Sequence, residues 1–204
     1  MIDAFAALAV GETLALPAGR RDGTMSVETA IARRRSCRRY APDPLSMEQV
    51  AQLLWAAQGV TDARGMRAAP SAGACYPVEV LVVCEDGVFR YLPDKHAVAK
   101  MAEGDSRRSL AAAALGQSFA AAAPVCFVLT AYYYRTTSRY GERGLRYVHM
   151  DVACAAENVH LQAEALDLNS VAIGAFDDDQ VQEALGLDED ESPLYLIPVG
   201  RAAS

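Results

Sequence analysis

Apolar residues follow two different spacings along this chain, and each spacing predicts a different kind of element. Spacings of three and four residues predict amphipathic helices, which bury one face. One helix begins at a capping box formed by Ser46 and Gln49 and ends at Gly59, and Ser26 can cap an earlier one. The helical segments after Ser26 and beyond Gly59 are residues 27–35, 146–166 and 178–185, together with a buried helix through residue 114.

Short, continuous apolar runs predict β-strands. Residues 78–84 and 88–92 flank Asp86 and Gly87, and an Asp-Gly pair between two strands is a strong hairpin signal. Further strands are predicted over residues 125–131, 170–173 and 194–199. Because helices and strands interleave with a hairpin, the pattern predicts the α+β class.

The sequence predicts one domain. No repeat and no flexible linker divides the 204 residues, a length suited to a single domain. Residues 25–204 are predicted to form this domain, after a loosely patterned N-terminal arm over residues 1–24. The uncharged residues 109–134 are long enough to cross a bilayer, but many alanines and Pro124 favour a buried helix followed by a central strand. The protein is therefore predicted to be soluble.

Composition and charge exclude several classes of protein. Apolar residues make up 52% and charged residues 22%, which is typical of a globular chain. The net charge of −7 predicts no binding to nucleic acid or to anionic membranes. Five cysteines, with no Cys-x-x-Cys pair, argue against a disulfide framework or a structural zinc site and favour a reducing cytoplasm. No basic stretch precedes the first apolar residues, so no secretory signal is predicted.

Five arginines lie within residues 33–39, which is unusual in an acidic chain. A solvated helix end would place these cations favourably at the negative end of the helix dipole. Alternatively, guanidinium groups and the hydroxyl of Ser36 would bind a phosphate. Both interpretations stay open, whereas a nucleic-acid interface would need a broader basic face with aromatic side chains, which the chain does not provide.

Two further segments carry candidate chemistry. Residues 67–77 place small side chains between two prolines, which would let a flat ligand approach the backbone, although an ordinary surface loop also explains the prolines. Residues 139–147 precede the long helix, on which Asp151, Cys154 and Asn158 share one face. These three could bind a metal ion, but no second cluster would complete the site, so no metal is predicted.

Taken in order, these segments resemble the FMN-dependent nitroreductase family, and more narrowly its SagB-type branch of azole-forming dehydrogenases. The resemblance covers residues from about 26 to 201. It is carried by six short motifs in the family's order: Arg34-Arg35-Ser36-Cys37-Arg38, Arg67 with Pro70-Ser71-Ala72-Gly73-Ala74 and Tyr76-Pro77-Val78-Glu79, Tyr140-Gly141 with Arg143-Gly144 and Arg146-Tyr147, Glu157-Asn158, Ile173-Gly174-Ala175-Phe176, and Pro198-Val199-Gly200-Arg201.

The resemblance implies a dimeric α+β sandwich with a central, mainly antiparallel sheet flanked by helices, and two FMN sites at the subunit interface. Arg34 and Ser36 would hold the FMN phosphate, and Arg38 would face the N1/O2 edge of the flavin, where a cation favours the reduced anion. A main-chain N–H near Gly174 would lie close to flavin N5. The cofactor-binding residues implied in this way are Arg34, Arg35, Ser36, Arg38, Pro70, Ser71, Ala72, Gly73, Ala74, Gly174, Ala175 and Arg201.

The resemblance also implies an enzyme that transfers two electrons through flavin N5. The SagB-type interpretation predicts a dehydrogenase or oxidase that acts on a peptide-derived or small organic substrate. Members of that branch carry a Lys-Tyr pair, whereas this chain has Arg139 and Tyr140, our candidate catalytic residues. A guanidinium stays protonated, so Arg139 could stabilise an anion but not act as a general base, and Tyr140 is left as the candidate acid or base.

Two alternatives stay open on the sequence. One is an NAD(P)H-dependent reductase of nitro compounds or quinones, in which the nicotinamide would have to stack on the flavin because no dinucleotide-binding motif is present. The other is a non-catalytic scaffold or partner subunit, which would not need intact phosphate and flavin-edge positions. A homodimer in the cytoplasm is expected, with no nucleic-acid or membrane partner.

Overall fold

A seven-stranded antiparallel sheet forms the centre of the computed structural model, which describes residues 3–203. The first two residues of the predicted arm and the last residue of the predicted domain lie outside the described residues. The strands are β1 (Thr13–Ala15), β2 (Val78–Cys84), β3 (Gly87–Leu92), β4 (Ala97–Ala102), β5 (Val125–Tyr132), β6 (Asn169–Ser170) and β7 (Glu191–Gly200). Their order across the sheet is β1-β4-β3-β2-β5-β7-β6.

Helices cover both faces of this sheet. Within residues 3–203 they are α1 (Asp3–Ala6), α2 (Val27–Arg33), α3 (Met47–Gln58), α4 (Arg107–Ala113), α5 (Phe119–Ala122), α6 (Tyr134–Tyr140), α7 (Arg143–Ala165) and α8 (Asp178–Leu185). Side chains of β2 alternate between the faces: Val80 and Val82 share a core with α3 and α7, whereas Leu81 and Val83 share one with α4 and α8. The prediction of an α+β sandwich with a central antiparallel sheet is therefore confirmed.

Several predicted elements are confirmed where the local signal was strong. Helix α3 has the predicted capping box, in which Ser46 and Gln49 exchange hydrogen bonds. The Asp-Gly hairpin joins β2 to β3, and Cys84 pairs with Gly87 across it. The uncharged residues 109–134 lie mainly in α4, α5 and β5, as expected for a buried helix followed by a central strand. Within residues 3–203, no helix combines the length and hydropathy that crossing a bilayer requires.

Two predicted elements are shorter than expected. The helix predicted over residues 27–35 ends at Arg33, because Arg34 turns out of helical geometry with φ −47° and ψ 124°. The strand predicted over residues 170–173 is reduced to β6 and an isolated bridge at Ile173. Both corrections fall beside predicted site residues, namely Ser36 and Gly174.

The described part of the N-terminal arm packs on the sheet. Phe5 is fully buried and stacks on Phe89, with ring centroids 4.2 Å apart. Strand β1 pairs with β4, and Nε2 of His96 lies 2.8 Å from the carbonyl oxygen of Pro17. Neither strand was predicted, because β1 has three residues and β4 is rich in alanine, which gives a weak strand signal. The division of the chain after residue 24 stays a prediction.

Candidate functional site

Most of the predicted site residues can be described as two groups, and each group has members that contact helix α7 directly or through a partner. The arginine cluster consists of Arg34, Ser36, Arg38, Gly174 and Ala175. The loop cluster consists of residues 70–74 with Arg139 and Tyr140. Asp151 of α7 contacts the loop cluster, and His160 of α7 contacts Ser170, which pairs with Ser36. These two helix positions are nine residues apart, or about 14 Å at the α-helical rise.

The arginine cluster is held by the edge of the sheet. Ser36 forms a parallel bridge with Ser170 of β6, which fixes the backbone that follows α2. Ile173 then bridges to β7 immediately before Gly174. The sheet edge therefore brings together two segments that are far apart in the sequence, which local patterns could not show.

The neighbouring arginines at the end of α2 differ in what they bind. Nε of Arg33 lies 2.8 Å from the carboxylate of Glu164 on α7. Nη1 of Arg35 donates to two carbonyl oxygens of its own segment, at 3.0 and 2.7 Å. Arg34 has only a 3.9 Å contact with Glu157, and 34% of its side chain is exposed. Arg34 is therefore the arginine of these three best placed to bind an anion.

Arg38 and Ala175 both contact the short segment of residues 117–119, where α5 begins. The guanidinium of Arg38 lies 5.6 Å from the ring centroid of Phe119, and Nε2 of Gln117 donates to the carbonyl oxygen of Ala175 at 3.1 Å. Within residues 3–203, the N–H groups of Gly174 and Ala175 meet no protein acceptor, and both residues are exposed. The arrangement offers a ligand one cation and two free main-chain donors.

The segment after the arginine cluster is fixed on β7 by Tyr40. Its hydroxyl donates to the carbonyl oxygens of Cys37 (2.7 Å) and Pro198 (3.2 Å). Burial raises the pKa of this phenol, so the hydroxyl keeps its proton and continues to donate. The N–H of Ala41 donates to the carbonyl oxygen of Arg201 at 3.0 Å, which places exposed Arg201 beside this segment.

Asp151 holds the loop cluster in place. The hydroxyl of Ser71 donates to its carboxylate at 2.6 Å and accepts from the N–H of Tyr76 at 2.9 Å. The N–H of Ala72 also donates to the carboxylate, at 3.2 Å. Burial raises the pKa of Asp151, although the bonds from Ser71 and Ala72 act in the opposite direction. Ser71 is predicted to contact the cofactor, but its hydroxyl forms hydrogen bonds within the protein that hold the loop in shape.

The sequence had suggested a different role for Asp151. The sequence places it on one helix face with Cys154 and Asn158, which could bind a metal ion, but residues 3–203 contain no group of three His, Cys, Asp or Glu side chains placed to hold one. Asn158 instead donates to a main-chain carbonyl of α3 at 3.0 Å. In the sequence, the sign that Asp151 could hold the loop cluster is a carboxylate placed between the buried positions Val148 and Val152 of the same helix.

Gly73 brings the two candidate catalytic side chains onto the loop. Its φ is +61°, and a Cβ at this position would lie 2.5 Å from the hydroxyl of Tyr140. Nη1 of Arg139 donates to the carbonyl oxygen of Gly73 at 3.0 Å. Ala74 and Tyr76 also have positive φ, at 53° and 46°, which is unfavourable for residues with a side chain. Such strained backbone concentrates at ligand sites, where the surrounding contacts hold it.

The lowered pKa of His160 should make the free energy of unfolding depend on pH. Burial, assisted by the charge of Arg34, lowers its pKa from 6.5 to about 4. The unfolded chain therefore takes up a proton below about pH 6.5 while the folded chain does not, so stability is complete above pH 6.5 and falls towards pH 4. The loss should approach about 3 kcal/mol. Urea unfolding between pH 7 and pH 4 measures it.

The control for this prediction is the exposed His149. His160→Gln should flatten the pH dependence in the range above, whereas His149→Gln should leave it as in the wild type. An equal slope for the wild type and His160→Gln would contradict the assignment.

Comparisons with known proteins cover both clusters. The family described as "Nitroreductase family" matches residues 31–201. A Methanocaldococcus jannaschii protein that carries a nitroreductase name is 43% identical over 183 residues, which cover 87% of this chain and 91% of that protein.

Solved structures are similar over most of the chain. A protein of Ralstonia eutropha JMP134 that carries a nitroreductase name has a TM-score of 0.87 and 30% identity, covering 97% of this chain and 93% of its own. The NADPH:FMN oxidoreductase of Vibrio harveyi has a TM-score of 0.66 and 22% identity, covering 87% of this chain and 69% of its own. At this level of identity, the similarity to the Vibrio harveyi protein shows a shared fold alone.

Proposed function

This chain belongs to the nitroreductase family, and we propose that it is an oxidoreductase that uses FMN to move two electrons from NAD(P)H to an organic acceptor. When bound, FMN supplies a two-electron acceptor and donor at its N5 atom. The proposal rests on the donors that the arginine cluster leaves free. Arg34 lacks a close carboxylate, and the N–H groups of Gly174 and Ala175 lack protein acceptors within residues 3–203.

These free groups match the parts of FMN. Arg34, with the exposed hydroxyl of Ser36, would hold the phosphate by charge-assisted hydrogen bonds. The main-chain donors of Gly174 and Ala175 would bond the flavin ring near N5. A Cβ on Gly174 would lie 3.4 Å from the Tyr195 ring, so this chain alone tolerates a side chain there, and a close ligand would explain the glycine better.

Arg38 is assigned to the N1/O2 edge of the flavin, where its charge stabilises the reduced anion more than the neutral oxidised form. Arg38→Met should therefore lower the FMN midpoint potential by roughly 30 mV, which for two electrons corresponds to about 1.4 kcal/mol. Potentiometry on the holoprotein measures this shift. Arg64→Met, which removes an arginine that is 81% exposed and bound to Asp62, should leave the potential unchanged. An unaltered midpoint in Arg38→Met would refute the placement.

The geometry of the loop cluster favours a reductase over an azole-forming dehydrogenase. Arg139 stands where the SagB-type branch carries a lysine, and its guanidinium donates to the carbonyl oxygen of Gly73. Since guanidinium remains protonated, it cannot remove a proton from a ring that is being oxidised. Tyr140 keeps the second candidate function open, because its hydroxyl lies against Gly73 and could exchange a proton with a SagB-type substrate.

The first test is the flavin content and its response to nicotinamide. The purified protein should contain one FMN per chain, and NADH or NADPH should bleach the flavin absorbance in the absence of oxygen. Initial-rate plots should be ping-pong, because both substrates would use the same face of the flavin. A protein that binds no FMN would overturn the proposal. FMN that stays oxidised with both nicotinamides would favour the dehydrogenase.

We also infer a homodimer with the FMN sites at its interface. The residues of both clusters are largely exposed on one chain, which would leave a bound flavin open to water. Uncovered apolar side chains lie on α2 and α7, including Val27 (65% exposed), Ile31 (58%) and Met150 (53%). A groove of about 840 Å³ between α2, α3 and α7 adds to this surface. Sedimentation of the holoprotein tests the dimer, and a stable monomer that retains FMN would exclude it.

A further inference from the structure

Three arginines lie close in sequence to the candidate catalytic tyrosine, Tyr140. Arg139 lies on α6, and Arg143 and Arg146 lie in the first turns of α7; all three are exposed, and we call them the site arginines. Two tyrosines lie among them. The rings of Tyr140 and Tyr147 meet edge to face with centroids 5.1 Å apart, and the guanidinium of Arg139 lies 5.5 Å from the Tyr140 centroid. Arg143 lies 6.0 Å from the centroid of Tyr147.

The site arginines form no ion pair within residues 3–203 of the single chain, although the chain has 26 acidic residues and a net charge of −7. Other described arginines, such as Arg38 and Arg108, also form no ion pair, whereas five are paired closely with carboxylates: Arg33, Arg64, Arg90, Arg107 and Arg135. A group of unpaired cations on an acidic protein creates a local positive potential that would attract an anion.

The stability of the helix does not explain this arrangement. Arg143 and Arg146 lie at the positive end of the α7 dipole, where cations are unfavourable, and within the described residues neither forms an ion pair with Glu142 at the N-cap. Their spacing of three residues also brings like charges onto one side of the helix. Departures from local preference of this kind are expected at functional positions, where binding compensates for the lost stability.

The surface is continuous with the site already described. Arg139 donates to the carbonyl oxygen of Gly73, and the Tyr140 hydroxyl lies against the same glycine. From Tyr140, beside Gly73, an edge-to-face ring contact leads to Tyr147, and a cation–π contact leads from Tyr147 to Arg143. A molecule that reaches the loop cluster would therefore meet both aromatic rings and guanidinium groups.

We propose that the site arginines select an anionic organic substrate, namely a planar molecule that carries a carboxylate. This inference rests on the proposed function and names the substrate class of the same site. A carboxylate matches the fork of a guanidinium group, and a planar ring packs against Tyr140 and Tyr147. The neutral counterpart of the same molecule lacks the first of these interactions and binds more weakly.

The test compares two ligands that differ in charge. Oxidised holoprotein of known FMN content is titrated with 4-nitrobenzoate and with its methyl ester, and the flavin absorbance reports binding without turnover. The carboxylate should bind roughly tenfold more tightly than the ester at low salt, and the preference should shrink as NaCl is added. Equal affinities for the two ligands would overturn the inference.

Variants assign the preference to particular residues. Arg143→Gln and Arg146→Gln should each weaken binding of 4-nitrobenzoate about two- to fivefold and leave the ester unchanged. Arg108→Gln, which removes an exposed arginine from the first turn of α4, should alter neither ligand. A full carboxylate preference in the double variant would refute the assignment. A selective loss of NADPH over NADH there would assign the surface to the nicotinamide instead.

The outcomes for this inference and for the proposed function are distinct. A protein without FMN, or one whose flavin no nicotinamide reduces, contradicts the proposed function before any ligand is added. Normal FMN content and normal reduction, combined with equal binding of acid and ester, contradict only the substrate class.

Discussion

Arg34→Ala is expected to weaken FMN binding roughly ten- to a hundredfold. Charge-assisted hydrogen bonds to phosphate contribute about 1.5–3 kcal/mol, and each 1.4 kcal/mol is a factor of ten in affinity. Arg34 is the suitable donor because its closest carboxylate, on Glu157, is 3.9 Å away, whereas Arg33 is already paired with Glu164 at 2.8 Å. Titration of the apoprotein with FMN, followed by flavin fluorescence, measures the change.

Riboflavin provides a sharp control for this prediction because it lacks the phosphate. Arg34→Ala should leave the affinity for riboflavin almost unchanged, and Arg34→Lys should recover part of the FMN affinity by restoring charge without the guanidinium fork. Arg64→Ala removes an exposed arginine elsewhere and should bind FMN as the wild type does. If Arg34→Ala loses riboflavin and FMN equally, the phosphate assignment is wrong.

Glu191→Ala is expected to lower the free energy of unfolding by about 3–5 kcal/mol. Glu191 is fully buried, and its two carboxylate oxygens accept from Arg90 at 2.9 and 2.6 Å. It also accepts from the hydroxyls of Thr130 and Tyr132. Without the carboxylate, Arg90 is left largely buried with only a 3.6 Å contact to Glu79, so an under-compensated cation remains in the core.

Urea unfolding measures this change, with Glu189→Ala as the matched control. Glu189 is exposed and lies two residues away in the sequence. Its replacement by alanine should lower the free energy of unfolding by less than about 0.5 kcal/mol. Glu191→Gln keeps the shape and part of the hydrogen bonding, so it should fall between the control and Glu191→Ala. A loss below 1 kcal/mol in Glu191→Ala would show that the pair contributes little.

The buried ion pairs also connect the sheet to the loop cluster. Glu79 binds Arg90 on one side and Arg135 on the other, at 3.6 and 2.5 Å. Arg135 in turn donates to the carbonyl oxygen of Tyr76 at 3.2 Å, just after residues 70–74 of the loop cluster. Damage to this network is therefore expected to loosen the loop as well as the core, which hydrogen exchange over residues 71–76 would report.

The sequence by itself determined the features that depend on neighbours along the chain. Three such features are the capping box at Ser46, the Asp-Gly hairpin and the apolar spacing of α7. Each depends on residues that are close in sequence, so the sequence predicts it without knowledge of the tertiary structure. The six family motifs pointed to the same α+β sandwich, and to the residues proposed to hold FMN.

Only the tertiary structure decided which of those residues act together. Ser71 and Asp151 are 80 residues apart in the sequence, and their hydrogen bond shows that this helix carboxylate anchors the loop of residues 70–74. The edge strand β1 and the strand β4 likewise became visible only by their pairing. The Ser71–Asp151 bond and the pairing of β1 with β4 share one physical reason. Burial and hydrogen bonding depend on partners from distant segments of the chain. The same dependence singled out Arg34, because its neighbours were already paired.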